Sequence, residues 1–70
     1  MDKKAVKQEM KNLCLYVDYW DACGELNSTS LAEDTAFAVG HPEWLDDPDH
    51  WVWDLAVEAE DWKIRPAKWN

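Results

Sequence analysis

The chain has 70 residues, 47% of them hydrophobic, and a net charge of -8. Seventy residues allow one domain at most, and six tryptophans argue against disorder, because disordered segments are poor in aromatics. All seven basic residues lie near the two ends, and from Asn12 to Trp62 there is no Lys or Arg, while every acid except Asp2 and Glu9 falls inside that stretch. Such a surface repels phosphates, which excludes direct nucleic-acid binding and docking on anionic membranes.

The first segment carries the clearest periodicity. Val6, Met10, Leu13, Val17 and Trp20 fall at alternating steps of four and three, the stripe of a core-facing helix. The pattern predicts a helix over 3–23 ending near Gly24, a residue suited to the left-handed C′ position. On that helix Cys14 and Cys23 are about 13 Å apart along the axis, beyond the roughly 7 Å that a disulfide spans. Both are therefore read as reduced thiols, as in a cytoplasmic protein. The charged start Met1-Asp2-Lys3-Lys4 is followed by no apolar run of signal-peptide length, and no stretch is long enough to cross a membrane.

Asn27-Ser28-Thr29-Ser30 is rich in N-cap residues. Ser30 with Glu33 matches a capping box, and Asn27 or Ser28 is an alternative cap. A second helix is predicted over 29–39 with Leu31, Thr35 and Ala38 on one face, stopping at Gly40 before Pro42. His41 to Asp46 reads as a connector. Asp47-Pro48 reads as an N-cap and first helical residue, which starts a third helix over 48–61 with Val52, Leu55, Ala56 and Ala59 as its apolar face. Trp51-Val52-Trp53 has strand propensity, but a sheet would have nothing to pair with. The fold class expected is all-α, a small three-helix bundle running up-down-up, with residues 1–62 as the domain and 63–70 as a short basic tail. The predicted core is Val6, Met10, Leu13, Val17, Leu31, Val52, Leu55 and Ala56.

Charge placement supplies the functional expectation. Helix dipoles favour acids at N-termini and bases at C-termini. The first predicted helix opens on Lys3, Lys4 and Lys7 and closes on Asp18, Asp21 and Glu25, and the third closes on Asp54, Glu58, Glu60 and Asp61. Up-down-up topology gathers Asp18, Asp21, Glu25, Glu33, Asp34, Glu58, Glu60 and Asp61 at one pole. Acids about 5–6 Å apart on such a face can imitate a phosphate backbone. The expectation is a partner-binding inhibitor that engages a basic surface, as on a nucleic-acid-binding protein. Small phage inhibitors of CRISPR or restriction nucleases are the analogy in size and charge. Trp44 and Trp53 are the tryptophans predicted to be exposed for contact, since exposed Trp is enriched at binding hot spots. The alternative expectation is an accessory subunit held by exposed tryptophans.

Other chemistry finds little support. His41, Glu43, Asp46, Asp47, Asp49 and His50 are metal-capable, but their spacing fits no zinc or calcium motif. Neither cysteine lies in a nucleophile motif, and Ser28 and Ser30 are explained as caps. No enzyme activity, metal or cofactor is expected, and the oligomeric state is not legible.

Overall fold

A computed structural model describes residues 1–66. It contains three α-helices: α1 Lys3–Tyr16, α2 Ser28–Ala38 and α3 Trp51–Glu58. A 3-10 turn over Pro42–Asp46 joins α2 to α3, and a second over Ala59–Trp62 extends α3. The fold is the expected all-α three-helix arrangement. Lys68 and Trp69 of the basic tail lie outside the described residues.

α1 starts where Asp2 Oδ1 accepts from the Ala5 N–H at 2.8 Å, an N-cap bond. Val6, Met10 and Cys14, each one turn beyond the last, are buried. The helix stops at Tyr16, seven residues short of the predicted end. The buried face advances in steps of four, so a continued helix would turn Asp18 and then Asp21 toward the core. Burying an unpaired carboxylate costs several kcal/mol. The chain instead becomes extended at Val17, and Asp18 Oδ1 accepts from the Trp20 N–H at 3.0 Å, a local bond that competes with the helix. Val17, predicted as core, is 41% exposed, and Leu13 is only half-buried.

Residues 17–27 form a compact turn. Trp20 and Leu26 make an isolated antiparallel bridge, closed by Asn27 N–H to the Tyr19 carbonyl at 2.8 Å and Asp21 N–H to the Glu25 carbonyl at 2.9 Å. Gly24 takes positive φ, as expected, but at the apex of this turn and not at a helix C-terminus. Asp21 Oδ1 accepts from both the Cys23 and Glu25 N–H groups and so rigidifies the apex. The rearrangement sends Tyr19, Trp20 and Leu26 into the core. Both cysteines are free, Cys14 buried and Cys23 exposed. They are free although the single helix predicted to separate them ends at Tyr16.

Asn27 is the N-cap of α2, its Oδ1 accepting from Ser30 N–H at 3.1 Å. α2 buries Leu31, Ala32, Thr35 and Ala36, whereas Ala38 of the predicted face is exposed. The Thr35 hydroxyl is satisfied by donating to the Leu31 carbonyl at 2.7 Å. α2 ends in a Schellman motif: His41 N–H donates to the Ala36 carbonyl and Gly40 N–H to the Phe37 carbonyl, with Gly40 at φ 79.

α3 begins at Trp51, with His50 as its N-cap, not at Pro48 behind Asp47. Asp47 Oδ1 accepts from Asp49 N–H, a turn bond that uses its capping capacity locally. The predicted apolar face of Val52, Leu55, Ala56 and Ala59 is buried. α1 and α3 run parallel, because Lys3 lies near Trp51 while Lys7 and Lys11 lie over Trp62. These lysines share one face of α1 and cover indole rings with Nζ 5.3 to 6.0 Å from the ring centres. This packing gives the reversed charges at the start of α1 a structural role.

Candidate partner-binding site

The turn 17–27, the start of α2 and the segment after α3 meet at one end of the molecule. Tyr19 donates its hydroxyl to Asp34 Oδ2 at 2.6 Å, tying the turn to α2. Trp20 Nε1 donates to the Ile64 carbonyl at 2.9 Å, tying the turn to the segment after α3. Between turn and α2 lies an open groove of about 390 Å³, whose walls include Asp18, Asp21, Asp34, Tyr19, Trp20 and Asn27. Three of the acids predicted for the pole therefore line one concavity.

The eight predicted acids divide by what they do within the chain. Asp18, Asp21 and Asp34 accept the bonds described above and hold the turn in place. Glu58 pairs with Lys7 at 3.4 Å, with both side chains well exposed. A pair of this kind is worth about 0–1 kcal/mol. Glu25, Glu33 and Asp61 are exposed and Glu60 is half-buried. Among the described residues no ion pair engages these last four carboxylates. The dipole argument changes accordingly. Asp21 and Glu25 lie well beyond the end of α1, whereas Asp18, just past its C-cap, Glu58 at the last residue of α3, and Glu60 and Asp61 in the 3-10 turn that extends it remain near negative helix ends.

Two bases return to this end. Arg65 lies 4.2 Å and Lys63 5.4 Å from the Trp20 ring centre. Lys63 has φ 55, a left-handed conformation that turns the chain back after the second 3-10 turn. Pro66 is buried, so the chain packs on the domain at least that far.

Trp44 and Trp53, predicted as exposed contact residues, are both half-buried against the core. Trp53 Nε1 donates to the Asp47 carbonyl at 2.9 Å, and Trp44 stacks with His41 and His50. Neither belongs to the acidic end, since both lie by the start of α3. Tyr19 lines the groove although the predicted helix over 3–23 gives it no role there. The signal was present: Asp18 two residues before Trp20, and Asp21 ahead of Cys23-Gly24, are turn chemistry.

Burial, reinforced by the bond to Asp34, raises the ionisation of Tyr19 well above that of an ordinary phenol. Burial also raises the Cys14 thiol, which disfavours the reactive thiolate. The His41 hydrogen bond lowers the carboxyl of Glu43. Among the described residues no three His, Cys, Asp or Glu side chains converge as metal ligands. No described helix is long and apolar enough to cross a membrane.

The raised Tyr19 ionisation has a testable consequence. Its stabilising contribution is complete below the ordinary phenol value, near pH 10, and is lost as pH rises above that. Tyr19→Phe should cost about 1 kcal/mol at neutral pH, the usual net worth of one hydrogen bond, discounted for the exposure of Asp34. The variant should also lose less stability than the wild type between about pH 10 and 12. Urea denaturation across that range checks both.

No known protein family, curated protein or solved structure matches this chain.

Proposed function

We propose that this chain is a non-catalytic binding protein whose acidic end docks on a basic surface of a nucleic-acid-binding protein and imitates the phosphate backbone that surface receives. The supporting observation is the acid-lined groove at that end. Asp18, Asp21 and Asp34 line a groove, and Glu25, Glu33 and Asp61 are exposed and carry no ion pair among the described residues. Three of these acids hold the fold, but they still project negative potential; Lys63 and Arg65 return to this end over Trp20 but form no ion pair with the acids among the described residues, so a partner supplies the rest of the counter-charge. A mimic of this size and charge suits inhibition of a defence nuclease of the CRISPR or restriction type, such as phages face. The reading as an accessory subunit draws less support. All five described tryptophans are buried or half-buried, and the exposed large apolar residues are instead Tyr16, Phe37, Val57, Leu15, Val17 and Met1.

Affinity capture with the whole chain tests the proposal. A nucleic-acid-binding protein should be retained at low salt, and should be released by salt or by added nucleic acid but not by nonionic detergent. Release by detergent alone would favour apolar association and refute the acidic mode.

A further inference from the structure

The opposite end of the molecule holds a cluster of rings that the binding proposal does not use. His50 caps α3 through its imidazole: Nδ1 accepts from the Val52 N–H at 3.0 Å. Helices are usually capped by Ser, Thr, Asp or Asn, whose side chains do not change protonation between pH 5 and 8. Imidazole does. It accepts at Nδ1 only when that nitrogen carries no proton, so this cap selects the neutral ring protonated at Nε2.

The same ring organises the connector. His50 stacks with Trp44 at 4.6 Å and 19° and leans on Trp51 at 4.7 Å, while His41 stacks with Trp44 at 4.5 Å and 5°. Trp44 also touches Trp51, with ring centres 5.1 Å apart. The connector between α2 and α3 is thus held as one aromatic unit, joined to the first turn of α3 by a hydrogen bond that a single proton abolishes.

We propose that His50 is a proton-operated latch between this connector and α3. A proton taken up from solvent at Nδ1 converts the acceptor into a donor facing the Val52 N–H. It also places a cation at the positive end of the α3 dipole. Both effects drive the ring out of the cap, and the stack with Trp44 goes with it. The charged groups around the latch set its direction. The carboxylates nearest His50 along the chain are Asp47 and Asp49 on the turn before it, Asp54 in the first turn of α3 and Glu43 on the 3-10 turn, all of the sign that attracts an imidazolium. Glu43 is already engaged by His41 Nδ1 at 2.8 Å. Lys3 of α1, with Nζ 6.0 Å from the ring centre of Trp51 against which His50 leans, is the like charge in the cluster. The protonated ring therefore leaves the cap, and the connector opens at the end remote from the acid-lined groove.

Hydrogen exchange at the Val52 amide reads the latch directly. On lowering the pH from about 8 to about 5, its protection factor should fall about fivefold in the wild type, the size of one N-cap's contribution. His50→Asn supplies a cap that does not titrate and should keep Val52 protection flat. His41→Gln should behave as the wild type. Flat protection in the wild type, an undiminished fall in His50→Asn, or loss of the effect in His41→Gln would each overturn the proposal. The nitrogen-15 shifts of His50 in the wild type provide a check that needs no variant. Nδ1 should be the unprotonated nitrogen at neutral pH, and finding the proton there would end the idea.

Discussion

Trp20→Ala should leave about half or more of the chain unfolded at room temperature. Trp20 is 8% exposed, bridges to Leu26, and donates to the Ile64 carbonyl, so its ring joins the turn 17–27 to the segment after α3. Lys63 and Arg65 lie against the same ring and lose their platform with it. Removing a buried Trp side chain costs about 3–5 kcal/mol, whereas a core in a domain of this size supplies roughly 3–5 kcal/mol in all. The two figures are equal, so little net stability remains. Trp20→Phe separates the contributions. It keeps most of the buried area but removes the donor to Ile64, and should cost about 1–2 kcal/mol. Urea denaturation followed by circular dichroism checks both variants. An alanine variant with a wild-type midpoint would mean that the turn does not depend on this ring.

Neutralising Glu25, Glu33 and Asp61 together, as Glu25→Gln, Glu33→Gln and Asp61→Asn, should abolish partner binding while leaving the monomer intact. All three are exposed and carry no ion pair among the described residues. Exposed substitutions of this kind usually change stability by less than about 0.5 kcal/mol. Removing one partner of a desolvated interfacial charge pair, by contrast, costs about 2–5 kcal/mol of binding. Calorimetry of the variant against the captured partner, beside its thermal midpoint, separates the two. The choice of residues matters. Asp21→Asn or Asp34→Asn would confuse fold with binding, because Asp21 holds the turn apex and Asp34 receives the Tyr19 hydroxyl. A variant that kept its partner but lost thermal stability would make the acids structural and remove the basis for mimicry.

Periodicity and caps made most of the architecture legible. Val52, Leu55, Ala56 and Ala59 are buried as their spacing predicts. Gly40 and Pro42 marked the end of α2, and Asn27 was among its named caps. The stretch after Tyr16 was misread because Val17 and Trp20 continue a heptad-like pattern that conflicts with Asp18 and Asp21. The carboxylates decided the outcome, since a helix would have turned them inward. The start of α3 was misread because Asp-Pro is a strong start signal, whereas an imidazole cap has no sequence signature. The groove was only partly legible. Its acids were named from topology, but Tyr19 and Asn27 entered it through a turn that the helix pattern concealed.

The salt dependence of affinity for the captured partner, measured by titration from about 0.05 to 0.5 M monovalent salt, probes the acidic docking mode. Exposed charges are screened over about 10 Å at 0.1 M and about 3 Å at 1 M. Affinity should fall steeply and linearly with the logarithm of salt concentration, and the slope should flatten in the variant lacking Glu25, Glu33 and Asp61 charge. An affinity that stays constant across that range, with the same slope for both proteins, would contradict docking through the acidic end.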